Sequence, residues 1–149
     1  MSETDNTSPP ELSLVIPVYN GSKTIAGLID GLVRLDVSGE FEIVLVNDGS
    51  EDNSAEICRE IVAQSKANII FLDLTRNFGE HNAVLTGLRH TSGRYVVTMD
   101  DDFQNAPAEV AKLYQYTKAN DFDVVYTRFP KKQHSTFRNL GSKFANFTA

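Results

Sequence analysis

Five short runs rich in β-branched and aromatic residues punctuate the chain: LSLVIP (Leu12 to Pro17), EIVLVN (Glu42 to Asn47), NIIFLD (Asn68 to Asp73), YVVTM (Tyr95 to Met99) and FDVVY (Phe122 to Tyr126). Each has the length of a strand, and most lack the polar alternation of a sheet with one wet face. Strands apolar on both faces belong to a mainly parallel sheet covered by helices. The intervening segments supply those helices. Ile25, Leu28, Ile29, Leu32 and Val33 recur at i, i+3, i+4, i+7 and i+8 behind a Ser22 cap, and Ala55, Cys58, Ile61 and Val62 repeat the spacing after Asp52 or Asn53. A third helix is predicted from Glu80 to His90, with Ala83, Val84, Gly87 and Leu88 inward. A fourth opens at Pro107, with Val110, Leu113 and Tyr114 inward. The order βαβαβαβαβ predicts an α/β/α sandwich with right-handed crossovers, whose ligands collect at the carboxyl ends of the strands.

The bulk properties narrow the classes. A chain of 149 residues, 41% hydrophobic and 23% charged, fits one globular domain. Its single cysteine, Cys58, lies in a helical pattern without partners at ligand spacing, which excludes a disulfide framework and a structural zinc site. No run of 18 apolar residues occurs, so no membrane span is predicted. Residues 1–10 are polar, end in Pro9-Pro10 and read as a disordered leader without a signal sequence, ahead of a domain over residues 11–130. The net charge of -6 is unevenly spread. Arg128, Lys131, Lys132, Arg138 and Lys143 stand in residues 128–149 without an acid, so the preceding body is strongly acidic. An acidic body repels phosphates over most of its surface, and nucleic acid is not an expected partner.

The chemistry-bearing residues follow the strands. Tyr19 and Asn20 follow the first, Asp48-Gly49-Ser50 the second, Arg76-Asn77 the third, Asp100-Asp101-Asp102 the fourth and Arg128 the fifth. In a doubly wound sheet these positions share one rim. Acidic loops beside arginines suit a ligand carrying hydroxyls, phosphates and a divalent cation, because Mg²⁺ or Mn²⁺ takes carboxylate oxygen on one side and phosphate oxygen on the other. Local readings compete at each position. The aspartate triplet also suits a solvated turn, Asp48-Gly49 a plain turn, Arg76 and Arg128 an ordinary surface, and His81 a solvated or capping place at a helix start. Neither G-x-G-x-x-G nor G-x-x-x-x-G-K-[ST] occurs, so a phosphate must be held by other means.

Taken in order, LVIPVYN, IVLVNDGSEDNS, RNFGEHNAVLTGL, GRYVVTMDDDFQNAPAEV and DVVYTR resemble the family 2 glycosyltransferases of the Rossmann-like GT-A fold. The likeness is closest to polyprenyl-phosphate sugar transferases, such as dolichyl-phosphate mannose synthases and bacterial undecaprenyl-phosphate glycosyl or aminoarabinose transferases, over residues 12–148. The resemblance implies that Pro17 and Tyr19 flank the nucleotide base, that Val46 and Asp48 hold base and ribose, and that Arg128 ends a DVV-x-x-R motif. It implies that Asp100 and Asp102 are the acidic ends of a D-x-D motif, catalytic and metal-binding, with Gln104 a metal or phosphate neighbour. Asn20, Arg76 and Asp101 complete the implied sugar-nucleotide set. Three positions depart from the family pattern: Gly21 stands where many members have Glu, Asp101 where they have Ala, and Ala106 where they often have Pro.

The implied reaction is attack of a lipid phosphate oxygen on the anomeric carbon of a UDP- or GDP-linked sugar, with inversion and departure of the nucleoside diphosphate. A phosphate monoester is already ionised at neutral pH, so no general base is required. The metal is Mg²⁺ or Mn²⁺, stabilising the leaving diphosphate. In residues 131–149, Phe137, Leu140, Phe144 and Phe147 form an apolar stripe with basic residues around it. It suits the cytoplasmic membrane surface, or packing on the domain. The pattern runs to Ala149 without a stop signal, as expected of an N-terminal catalytic domain that continues into acceptor-side segments. A noncatalytic sugar-nucleotide-binding domain is the first alternative. A phospho-receiver module fits less well, since Pro17-Val18-Tyr19 rather than paired acids follows the first strand.

Overall fold

The computed structural model describes residues 9–37, 39–101 and 107–127. Four strands, β1 (Leu12–Val18), β2 (Phe41–Asn47), β3 (Asn68–Asp73) and β4 (Tyr95–Thr98), alternate with α1 (Ile25–Leu32), α2 (Ser54–Gln64), α3 (Glu80–Leu88) and α4 (Pro107–Asn120). The strands form one parallel sheet in the order β3-β2-β1-β4. β1 is central and buried along its whole length, which is why its sequence shows no polar alternation.

Successive side chains of a strand face opposite layers. Leu12, Leu14, Ile16 and Val18 of β1, with Ile43 and Leu45 of β2, meet Ile25, Leu28, Ile29 and Leu32 of α1, Cys58 of α2, and Val110 and Tyr114 of α4. On the other face Val15, Val44 and Val46 meet Ala83 of α3. The helical stripes read from the sequence are therefore the buried faces, although α3 is two residues shorter than expected and Leu88 is exposed at its end. Gly87 lets α3 lie close to the sheet: a Cβ there would fall 2.4 Å from Val15 Cγ1.

Two expectations about local structure fail. FDVVY is not a strand. Asp121 at φ 52° ends α4, Phe122 N–H donates back to Thr117 O, and residues 122–127 run irregularly beside the outer edge of β4, with Val124 and Tyr126 exposed. A β-branched run becomes a strand only where a ladder receives it, and β4 carries none on that side among the described residues. Ser22 does not cap α1 either. Thr24 holds that place, and Gly21 O accepts from Thr24 N–H, Ile25 N–H and the Thr24 hydroxyl, while Ser22 N–H is committed to Asp52.

One polar residue inside β2 is also explained. Glu42 is buried, and its carboxylate accepts from the Ser13 hydroxyl at 2.6 Å and from Ser92 N–H at 2.6 Å. Ser13 Oγ in turn accepts from Gly93 N–H at 2.9 Å. This network pins the entry of β4 to β1 and β2.

Cys58 is fully buried; burial, and then the negative charge of Asp101, push its thiol up to about 12. Its thiolate is the nucleophile, so the folded protein should resist iodoacetamide at pH 8 and react once unfolded in urea. Prompt labelling of the native protein, followed by mass spectrometry, would contradict that packing.

Candidate functional site

The chain winds from β1 outward to β3 on one side, then crosses under α3 to place β4 on the other side of β1. The strand order reverses between β1 and β4, and ligands of open α/β sheets bind outside the carboxyl ends of the strands at that reversal. A cleft of about 330 Å³ opens there, lined by Pro17, Val18 and Tyr19 after β1, Asp48 after β2, Asn77, Gly79 and Glu80 at the start of α3, and Asp100 and Asp101 after β4.

The loops forming the cleft are tied to each other. Asn20, at φ 54°, donates its N–H to Ser50 Oγ at 3.0 Å and accepts from Glu51 N–H at 2.9 Å through Oδ1. The Ser50 hydroxyl donates to Asn47 Oδ1 at 2.6 Å, and Asn47 Nδ2 donates to Asp73 at 2.7 Å. Asp48 is almost fully buried; its two carboxylate oxygens accept from Phe78 N–H at 2.8 Å and Gly79 N–H at 2.9 Å. Gly49, at φ 61°, brings the turn so close that a Cβ would fall 2.3 Å from the backbone carbon of Arg76. The loops after β2 and β3 thus form one unit beneath α3.

Asp52 joins the first two loops. Its carboxylate accepts from Ser22 N–H at 3.2 Å and from the Ser54 N–H and hydroxyl. Burial opposes its ionisation, but the hydrogen bonds from Ser54 and Ser22 outweigh burial and lower its pKa from 3.8 to about 2. A depressed folded pKa means the contribution is present above about pH 4 and is lost as the pH falls through 2. Asp52→Ala should therefore lower stability at neutral pH and flatten the acid limb of a pH-dependent urea titration between those values. An acid limb unchanged by the substitution would refute the role.

Of the residues expected from the sequence, Pro17, Tyr19, Asp48, Asp100 and Asp101 meet on the cleft. Val46 does not: its side chain is fully buried against Val15, Val44 and Ala83, because the strand alternation turns it toward α3. Asn20 is committed to the neighbouring loop. Arg76 is exposed outside the cleft, with its guanidinium 4.8 Å from the Phe78 ring centre. Asp102, Gln104, Arg128 and the basic stretch 131–149 lie outside the described residues. His81 is exposed. Gly79 and Glu80 line the cleft without having been expected; a glycine between the third strand and the helix start was their signal. Asp73, where a phospho-receiver places its acceptor, is held by Asn47 and Arg59.

The cleft is acidic. Glu80, Asp100 and Asp48 line it, and among the described residues no lysine or arginine does. A bare phosphate is repelled by such a site, whereas sugar hydroxyls and a cation-bound diphosphate suit it. No helix among the described residues is long and apolar enough to cross a membrane.

Comparison with known proteins agrees with this architecture. The "Glycosyl transferase family 2" model matches residues 13–147. The undecaprenyl-phosphate 4-deoxy-4-formamido-L-arabinose transferase of Pectobacterium carotovorum subsp. carotovorum strain PC1 is 39% identical over 137 residues, which is 91% of this chain and 42% of that protein. The chain thus spans about two fifths of such relatives. S. aureus TarS 1-349 in complex with UDP-GlcNAc superimposes with a TM-score of 0.66 at 23% identity, over 84% of this chain and 38% of TarS. The mannosyltransferase PcManGT of Pyrobaculum calidifontis, in complex with GDP-Man and Mn²⁺, does so with a TM-score of 0.60 at 23% identity, over 72% and 32%. These solved structures carry the fold, which is GT-A, and the match along nearly the whole chain carries the family: the protein belongs to glycosyl transferase family 2.

Proposed function

We propose that the chain is the nucleotide-sugar-binding part of an inverting glycosyltransferase that moves a sugar from a nucleoside diphosphate to a polyprenyl phosphate at the cytoplasmic face of a membrane. The observation that carries this reading is the acidic cleft at the β1–β4 reversal, where Asp100 and the Pro17–Tyr19 loop line one space together with Asp48 and Glu80. Tyr19, with half its surface exposed, offers a ring face to the base. Asp100 accepts hydrogen bonds from the sugar, and Asn77 and Glu80 form the wall toward α3. The acceptor class is that of the transferases to which the chain is similar.

A divalent cation fits the donors present. Among the described residues the cleft offers hard carboxylate oxygen and neither thiol nor imidazole, which suits Mg²⁺ or Mn²⁺ over zinc. Asp100, with Asp102 and Gln104, would hold it. Bound there, the ion supplies compensation for the charge of the leaving diphosphate. The chain's own residues orient the sugar and exclude water around it, and ionised lipid phosphate needs no base.

Calorimetry with UDP- and GDP-sugars, each with and without Mn²⁺, tests the proposal. Saturable binding strengthened by Mn²⁺ and lost in Asp100→Ala is expected. Binding indifferent to the metal sinks the cation site, and no binding to any nucleotide favours a noncatalytic interaction domain.

A further inference from the structure

We propose that Gly21 and Asp101 are a matched pair, in which Gly21 leaves a slot that the Asp101 side chain fills, and that Asp101 thereby acts as a positioning residue for Asp100 at the turn after β4. The inference rests on the functional reading above for what the turn does, but not for the pair itself.

The contact is specific. A Cβ on Gly21 would fall 1.9 Å from Asp101 Oδ2 and 3.0 Å from its Cγ, with Val18 Cγ1 at 3.3 Å on the other side. Gly21 is buried and is not among the glycines with positive φ, so its backbone conformation does not demand glycine; the neighbouring carboxylate does. Asp101 Oδ2 is shut off from solvent.

Neither partner's backbone yields easily. Gly21 O anchors the first turn of α1, Asn20 is tied to Ser50 and Glu51, and Ser22 is tied to Asp52. On the other strand Met99 N–H donates to Val15 O at 3.1 Å, so the chain is held to β1 up to two residues before Asp101. A side chain added at position 21 must therefore expel the Asp101 carboxylate from its seat, and whatever hold that seat has on the bend at Asp100–Asp101 is lost with it. Asp100, exposed and on the cleft, is carried by that turn. The inward seat of Asp101 fixes how Asp100 is presented.

Five proteins decide it: the native chain, Gly21→Ala, Asp101→Ala, the double variant and Asp101→Asn, each assayed for melting temperature and for affinity to UDP and GDP with and without Mn²⁺. Gly21→Ala should weaken Mn²⁺-supported binding about tenfold and lower the melting temperature, Asp101→Ala should weaken it about threefold, and the double variant should be no worse than Asp101→Ala alone, because neighbours sharing one space are not additive. Metal-free nucleotide affinity should change less than about twofold in all three, which distinguishes positioning of the turn from general loss of structure. Asp101→Asn, of the same shape, should bind within about threefold of the native protein. Additive losses in the double variant overturn the proposal, as does a harmless Gly21→Ala or an Asp101→Asn as damaging as Gly21→Ala. If no nucleotide binds the native chain, the functional reading fails, and the melting temperatures still decide the pair: coupled shifts support it and additive shifts reject it.

Discussion

Asp48→Ala should destabilise the protein by about 3–6 kcal/mol, since hydrogen bonds to a charged group contribute about 1.5–3 kcal/mol each and the carboxylate receives two. At roughly 2–4 °C per kcal/mol for a domain of this size, the melting temperature should fall by about 10 °C. The cause is local. Phe78 N–H and Gly79 N–H both point at Asp48, which is only 2% exposed, so its removal strips two backbone donors of their acceptor. Asp48→Asn retains one acceptor oxygen and should cost about half as much. Loss of the clamp also frees the segment that presents Asn77, Gly79 and Glu80 to the cleft, so nucleotide affinity should fall in the same variants. Thermal denaturation and calorimetry on one set of samples separate this role from direct recognition of the base. Affinity lost at an unchanged melting temperature would assign Asp48 to the ligand alone.

That result bears on how far the sequence could be read. β1 to β3 were legible because runs apolar on both faces have few other places to go, and the helical stripes were legible because each repeats its period over two turns or more. FDVVY has the same composition and is not a strand, since strand formation depends on a neighbouring ladder as well as on the residues themselves. The site was legible at the level of loops. Strand order alone brings Tyr19, Asp48 and Asp100 to one rim, whatever their side chains do. The roles within the rim were not legible, because they are set by contacts between residues 30 to 80 positions apart. Asn20 and Asp48 have their polar atoms turned to neighbouring backbone, and Gly21 meets Asp101. No local motif states such a pairing. Val46 shows the same limit in reverse: the resemblance implied a ligand contact there, and the pleat turns its side chain into the core.

Gly87 offers the second large effect, and its sign opposes helix propensity. On an exposed helix, Gly→Ala stabilises by about 1 kcal/mol. Here the added methyl would meet Val15 Cγ1 at 2.4 Å and Val46 Cγ2 at 3.1 Å, both fully buried side chains of central strands. Gly87→Ala should therefore be destabilising overall, and Gly87→Leu should cost about 3 kcal/mol or more, as overpacking of a rigid core does. The strain has a natural outlet, which is for α3 to lift from the sheet, carrying Glu80 away from the cleft that it lines. Nucleotide affinity should fall with stability in the leucine variant. A compensating change tests the mechanism: Val15→Ala removes the obstructing methyl, so in a Gly87→Ala background it should cost less than it does alone, where it opens a cavity. Urea denaturation of the four proteins measures that coupling. Equal costs of Val15→Ala in both backgrounds would mean that α3 is not held down by this contact, and that its distance from the sheet is set by the Asp48 clamp at its N-terminal end.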